Sequence, residues 1–227
     1  MKLTTLLCLI GLSLSSEALL AEASKTELRD RAAEFLRKNV AGKRLVGQKI
    51  NTVTKEGNYE YEFQRNTYIS DVRTSEKGLS FIVTYHVSQK NYDIDANKKR
   101  IPGKVRVEDR ILTQEYRLRT LESTGKLVGV RWTASSSLAD SYGTADSAII
   151  EMTDDSLILK TKTVAYTDHF AAEGKYYPGV TENVVTASRK NDVTTWVEEV
   201  IASRVNPDTF EVVSSEEKEA YTDTEAK

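Results

Sequence analysis

One histidine of this chain directly follows an acidic residue, in a segment that also carries tyrosines. Asp168 and His169 lie shortly before Tyr176 and Tyr177, in a chain of 227 residues that has only two histidines. An imidazole beside a carboxylate can exchange protons near neutral pH, as acid–base catalysis requires. No serine or cysteine in a recognisable nucleophile motif accompanies the pair. We therefore treat Asp168 and His169 as a candidate polar site and predict no catalytic residue, with an enzyme using this pair as an alternative.

Three oxygen-bearing side chains, Asp93, Asp95 and Asn97, have the spacing that opens a calcium-binding loop. The rest of that motif is missing, because Lys98 replaces its glycine and Lys104 replaces its bidentate glutamate. We interpret the segment as a solvated hairpin loop. One cysteine and two distant histidines disfavour zinc as well, so we predict neither a metal nor a cofactor.

Tyrosine is the most frequent aromatic residue, with eleven copies against five phenylalanines and two tryptophans. Tyr61 alternates with acidic neighbours, and Tyr85 follows Phe81 at an even spacing, so all three rings face inward if these segments are strands. Inward rings with polar tips are typical of cavities that hold small ligands. We predict that Tyr61, Phe81 and Tyr85 contact a small apolar or amphipathic ligand. A barrel filled by its own side chains is the alternative.

The residues after position 42 have the period-two pattern of β-strands. Apolar and polar side chains alternate at 59–64 and 79–87, and a long segment rich in Val, Ile and Tyr covers 104–121. Its alternation slips near 109–112, which predicts a β-bulge. Eight or nine strands with short turns predict a mainly β fold, a single antiparallel meander over residues 43–214. Such a sheet curls into a barrel because closure hides its edges.

This architecture resembles that of the calycins, the lipocalin-like barrels. The segment 45–48 lies where a lipocalin opens its first strand with glycine, any residue and then tryptophan. Lys49 takes the place of the tryptophan, so the resemblance covers the architecture and not the diagnostic motif.

A helix is predicted before the barrel and a disordered tail after it. Residues 24–42 contain apolar side chains at helical spacing, with Gly42 as the stop. Segment 193–205 fits both a helical stripe and a strand, and we favour the strand. Residues 215–227 are mostly acidic or polar, which predicts disorder.

Residues 1–23 have the features of a secretory signal peptide. Lys2 precedes an apolar run at 3–14, and Ala21 and Ala23 form a small-x-small cleavage site. The run is too short for a bilayer span, which needs about 20 apolar residues. We expect an exported protein, periplasmic or secreted. A mature chain without cysteine favours a bacterial envelope over an animal extracellular domain.

Charge and hydropathy narrow the classes of partner. The chain has 32 basic and 34 acidic residues, interspersed, with a net charge of −2. Nucleic-acid binding needs an extended basic surface, so we expect no nucleic-acid partner. No later segment is apolar enough for a helical span, so we expect no membrane-spanning segment after signal cleavage. The leading hypothesis is non-catalytic binding of a small ligand, and the second is a structural or interaction module of the cell envelope.

Export with cleavage near Ala23 is the first testable expectation, although Ser16 and Ala18 fit an earlier cut. N-terminal sequencing of the protein isolated from its own cells should begin near Ser24 and not at Met1. A chain that begins at Met1 and fractionates with the cytoplasm would contradict both the leader and the compartment.

Overall fold

Ten antiparallel strands form one closed barrel. The computed structural model describes residues 27–53, 59–135, 138–166, 178–206, 208–209 and 211–226. The strands follow one another around the barrel in chain order, and the first closes against the last. They are β1 (Arg44–Val53), β2 (Tyr59–Ser75), β3 (Gly78–Ile94), β4 (Arg100–Thr120), β5 (Leu127–Ser135), β6 (Leu138–Met152), β7 (Ser156–Tyr166), β8 (Pro178–Lys190), β9 (Val193–Val205) and β10 (Val212–Glu225).

The predicted mainly β barrel with an N-terminal helix is confirmed, with ten strands instead of eight or nine. The ambiguous segment 193–205 is strand β9, as favoured. The predicted bulge near 109–112 is wrong, because β3 and β4 pair without a register shift from Tyr92/Val105 to Gly78/Arg119. The alternation fades there for another reason: residues 102–111 are exposed on both faces of the strand.

The acidic segment predicted to be a disordered tail is instead most of strand β10. Its main chain pairs with β9 from Val212 to Thr224, with two register shifts. Its inward position Asp223 is 1% exposed and is bonded by an arginine of β2. Composition predicts disorder because it counts such a carboxylate as a solvated charge. Composition alone cannot show that a buried arginine, distant in the sequence, pairs with this carboxylate.

Residues 27–40 form the helix, here called α1, which covers one end of the barrel. Residues 27–35 are α-helical and Leu36–Val40 continue as a π-helix. Arg29 Nη1 donates to the main-chain oxygens of Ser75 and Glu76, at 2.7 and 2.9 Å, in the β2–β3 turn. On the other side, Thr194 Oγ1 donates to the carbonyl of Asn39 at 2.7 Å. We call this the capped end of the barrel, and the opposite end the far end.

The interior changes from apolar to polar along the barrel axis. Near the capped end the inward side chains are large, apolar and buried, and Phe81 stacks on Tyr116 with ring centroids 4.7 Å apart. Toward the far end, inward positions such as Asn183 and Val200 are only half-buried. The packed core therefore fills the capped half, and polar groups begin near the middle. Its fully buried members include Leu36, Leu45, Leu79, Phe81, Leu127, Leu157 and Leu159.

In the ranges that the structure describes, no helix has the length and apolar character needed to cross a bilayer.

Phe81 and Thr84 provide a test of which face of β3 is buried. Phe81 is 1% exposed inside the barrel, whereas Thr84 lies half-buried on the outer face. Phe81→Asp should prevent folding, because an unpaired buried charge costs several kcal/mol. Thr84→Asp should change the free energy of unfolding by less than about 1 kcal/mol. Urea unfolding followed by circular dichroism measures both, and equal loss in the two variants would contradict a one-sided core.

Candidate functional site

Arg65 lies inside the barrel, with 5% of its surface exposed. Its strand position is inward because it pairs with Gly47 on β1 and with Val87 on β3, both of which are buried. Arg65 Nε donates to Asp223 Oδ2 at 2.9 Å, and its Nη1 donates to Glu198 Oε2 at 2.7 Å. One guanidinium on β2 thus binds carboxylates on β10 and β9, across the line where the barrel closes.

Neighbouring groups hold this ion pair in one geometry. The Arg65 guanidinium carbon lies 4.8 Å from the ring centroid of Tyr85 and 4.9 Å from that of Tyr221. Both distances allow a cation–π attraction. Thr67 Oγ1 donates to Asp223 Oδ2 at 2.7 Å. At Gly47 an added Cβ would lie 2.0 Å from Asp223 Oδ1, so only glycine leaves room for the carboxylate.

A second arginine enters the interior from β5. Arg131 is 9% exposed and pairs across the sheet with Tyr116 of β4. The Tyr116 hydroxyl donates to Gln114 Oε1 at 2.9 Å, and that amide is itself buried. Ser147 and Thr161 share a buried hydrogen bond of 3.1 Å on the adjoining strands β6 and β7. We use the term polar cluster for Arg65, Tyr85, Tyr116, Arg131, Trp196, Glu198 and Asp223.

Burial shifts the proton affinities of this cluster. It raises the pKa of the Tyr85 hydroxyl well above its ordinary value, and nearby Glu198 adds to the rise. Burial likewise raises the pKa of Tyr116 to about 12, against the opposing field of Arg131. Both phenols are therefore neutral at physiological pH and act as hydrogen-bonding groups. Neither is poised as a base.

The charged members respond to burial and to one another. Burial acts to lower the pKa of Arg65, but the charges of Glu198 and Asp223 and the hydrogen bond to Asp223 oppose it, and the pKa lies above its ordinary value. Burial raises the pKa of the Asp223 carboxyl, although Arg65 and Thr67 oppose the change. The guanidinium of Arg65 therefore stays charged inside the barrel.

Four buried donor atoms of the polar cluster find no hydrogen-bond partner among the residues that the structure describes. They are Arg65 Nη2, Tyr85 Oη, Arg131 Nε and Trp196 Nε1. The Trp196 indole lies near enough to the Tyr85 hydroxyl to oppose the rise in its pKa, but neither group completes a hydrogen bond within normal limits. Buried donors usually find a protein or water partner. A cluster that leaves four of them open is suited to an acceptor-rich group.

The structure brings one of the three predicted ligand-contacting rings into this cluster. Tyr85 is a member of it. Phe81 instead belongs to the packed core of the capped half, and Tyr61 is half-buried on β2 toward the far end. Asp168 and His169 lie outside the described residues. The predicted solvated loop is a turn in which Asp95 Oδ1 accepts the main-chain N–H groups of Asn97 and Lys99, at 2.8 and 2.9 Å.

Sequence reasoning missed the four charged members of the cluster. Arg65 carried a usable signal, because it stands between Phe63 and Thr67 in the same alternating series as Tyr61 and is therefore an inward position. Glu198 carried the same signal, as it follows Trp196 by two residues. A charged residue in an inward register indicates either a buried partner or a site.

No protein-family model, curated protein sequence or solved structure matches this chain. The fold and the interior geometry therefore provide the basis for a functional proposal.

Two hydroxyl deletions test the assignment of the open donors. Tyr116→Phe removes the donor to buried Gln114 and should lower the free energy of unfolding by about 1–3 kcal/mol. Tyr85→Phe removes a hydroxyl without a partner and should leave the stability of the ligand-free protein unchanged or raised. Urea titration of both variants measures the difference. Equal destabilisation would show that the Tyr85 hydroxyl is satisfied in solution.

Proposed function

We propose that this protein is an exported, non-catalytic β-barrel that binds a small amphipathic molecule inside its barrel. The observation that carries the proposal is the set of four buried, unbonded donors in the polar cluster. An unsatisfied buried donor costs about 1–3 kcal/mol. A ligand that offers acceptor oxygens to several of them recovers that free energy.

The ligand's polar group is best matched by an anionic one, such as a carboxylate or sulfonate. The unbonded atoms Arg65 Nη2, Arg131 Nε and Trp196 Nε1 can only donate, and the Tyr85 hydroxyl can donate as well. Two of the four belong to cations, whose hydrogen bonds to an anion are stronger than neutral ones. The donor set therefore favours negative charge on the bound group.

The body of the ligand fits the far half of the barrel better than the capped half. The capped half is filled by its own side chains, with Phe81 and Tyr116 fully buried. In the far half the inward series mixes apolar residues with amides and hydroxyls, and many of them are half-buried. A mixed lining of this kind suits an amphipathic molecule. The series includes Tyr61, Phe63, Val87, Gln89, Asn91, Leu112, Thr133, Thr181, Asn183, Val200 and Ala202.

The described part of the cluster supports binding more than turnover. Its carboxylates, Glu198 and Asp223, both bind Arg65, and its phenols have raised pKa values. Both carboxylates are held by the guanidinium, and the shift of both phenol pKa values is away from neutral pH, where general acid–base catalysis works best. The export part of the proposal is supported by the apolar run and the small residues within 1–23.

A structural module of the cell envelope with a filled barrel is the second candidate. It is favoured by the charge balance of the cluster, in which Arg65 and Arg131 are matched by Glu198 and Asp223. In this case ordered water would satisfy the open donors, as it does for many buried polar groups. The two candidates differ in whether an anionic probe enters the barrel.

Binding of 8-anilinonaphthalene-1-sulfonate, an anionic fluorescent probe, tests the proposal. The folded protein should bind one probe molecule saturably. Tyr85→Phe and Trp196→Phe should each raise the dissociation constant by about tenfold or more, since a hydrogen bond to a charged group contributes about 1.5–3 kcal/mol. The same two substitutions should change the dissociation constant of the neutral probe 1-aminoanthracene much less.

The matched control is Tyr92→Phe. The Tyr92 hydroxyl lies on the outer face of β3 and donates to Glu62 Oε2 at 3.0 Å, so its loss should leave probe binding unchanged. Absence of saturable binding, or equal binding by wild type and both interior variants, would favour the filled module. Native mass spectrometry of protein purified from its own cells would then identify any molecule that it retains.

A further inference from the structure

Strand β4 extends beyond its pairing with β5. It pairs with β3 along most of its length, but β5 pairs with it only from Leu112 to Thr120. Within the ranges described, no strand therefore lies beside residues 100–110 on the side away from β3. The main-chain N–H and C=O groups along such an edge can pair with another strand.

The same stretch extends beyond the packed core. Residues 102–111 are exposed, and Val105 and Val107 on one face are 47% and 54% exposed. The other face carries Lys104, Arg106 and Glu108 in alternation. Among the described strands, only β3 pairs with this stretch. A partner that covers these valines and pairs with the edge would stabilise it.

We propose that this edge binds the same edge of a second copy of the chain, as an antiparallel pair related by a two-fold axis. Strand addition of this kind supplies main-chain hydrogen bonds, and the side-chain pairs select the partner. A two-fold axis at Arg106 places Val105 opposite Val107 of the second copy. It places Lys104 opposite Glu108 of the second copy. By symmetry each of these pairs occurs twice.

The neighbouring symmetric register is less favourable. An axis at Val107 would place Arg106 opposite Glu108, but it would also place Lys104 opposite Arg110 and each Val105 opposite an Asp109. Like charges directly opposite one another destabilise a strand pair. The axis at Arg106 creates a single like-charge contact, between the two copies of Arg106. That guanidinium already lies 3.8 Å from Asp93 Oδ1 of its own chain, which reduces the repulsion.

The edge segment of β4 is complementary to a second copy of itself. The five residues from Lys104 to Glu108 read Lys-Val-Arg-Val-Glu, with charges of opposite sign at the two ends and a valine on either side of the centre. Turned through a two-fold axis, the segment matches its own charges and its own apolar residues. A strand of another protein would need the same pattern, and its capture is an outcome of the test below.

Sedimentation velocity of the full mature protein, from low to high micromolar concentration, should show a monomer–dimer equilibrium. Lys104→Glu and Glu108→Lys each replace two attractive pairs by two repulsive ones. Each variant alone should therefore have a dimer dissociation constant raised by about tenfold or more. An equimolar mixture of the two variants restores opposite charges at both positions, so it should dimerise about as well as the wild type.

Lys126→Glu is the matched control, because Lys126 is exposed in the turn between β4 and β5 at the capped end. It should dimerise like the wild type, and thermal melting should show that all variants fold. A wild type that stays monomeric throughout would overturn the proposal. So would a dimer that both edge variants leave unchanged, or a mixture that fails to recover. Capture of another protein by the wild type in place of dimerisation would also overturn it.

Discussion

Arg65 joins the first and last strands of the barrel, which the main chain connects through very few residue pairs. Strands β1 and β10 share two pairs of residues, Leu45 with Glu225 and Val46 with Thr224. Beyond them, the guanidinium of Arg65 reaches from β2 to Asp223 on β10 and Glu198 on β9. Removing one partner of such a buried pair typically costs about 3–5 kcal/mol, because the remaining charges are left unpaired. The closed form of the barrel therefore depends on a polar contact in its interior.

This contact determines much of what surrounds it. Gly47 has no side chain because the Asp223 carboxylate occupies that space, and Thr67 supplies that carboxylate with a further donor. The rings of Tyr85 and Tyr221 face the guanidinium, and their π-electrons attract its positive charge. Aliphatic side chains in the same place would not stabilise the charge in this way. A barrel built in this way has a packed half and a polar middle, and the open donors of the proposed site follow from that arrangement.

Local periodicity was enough to predict the strands, the antiparallel order and the inward face of β3, where Phe81 and Tyr85 are buried as expected. It could not predict the partners of Arg65, because Glu198 and Asp223 are distant in sequence and only barrel closure brings them near. The same limit explains the error at residues 215–227, where composition concealed a strand. The sequence predicted one member of the site, Tyr85. The donors Arg131 and Trp196 could be placed beside it only from the pairing of β4 with β5 and of β8 with β9.

The short pairing between β1 and β10, here called the seam, affects how the native barrel opens. Pairing these strands closes a loop that includes nearly the whole barrel, and the entropic cost of closure grows with loop length. Few main-chain hydrogen bonds compensate for that cost, since the ladder has only two residue pairs and one further bond from Ala226 N to Arg44 O at 3.0 Å. Regions with few such bonds open at low free energy in the native state. In a hydrogen-exchange experiment the amides of this seam should therefore exchange earlier than those of β3 and β4. Opening the barrel fully along this seam would also break the bonds of Arg65 to Asp223 and Glu198, so the polar cluster limits the opening while the packed half stays folded.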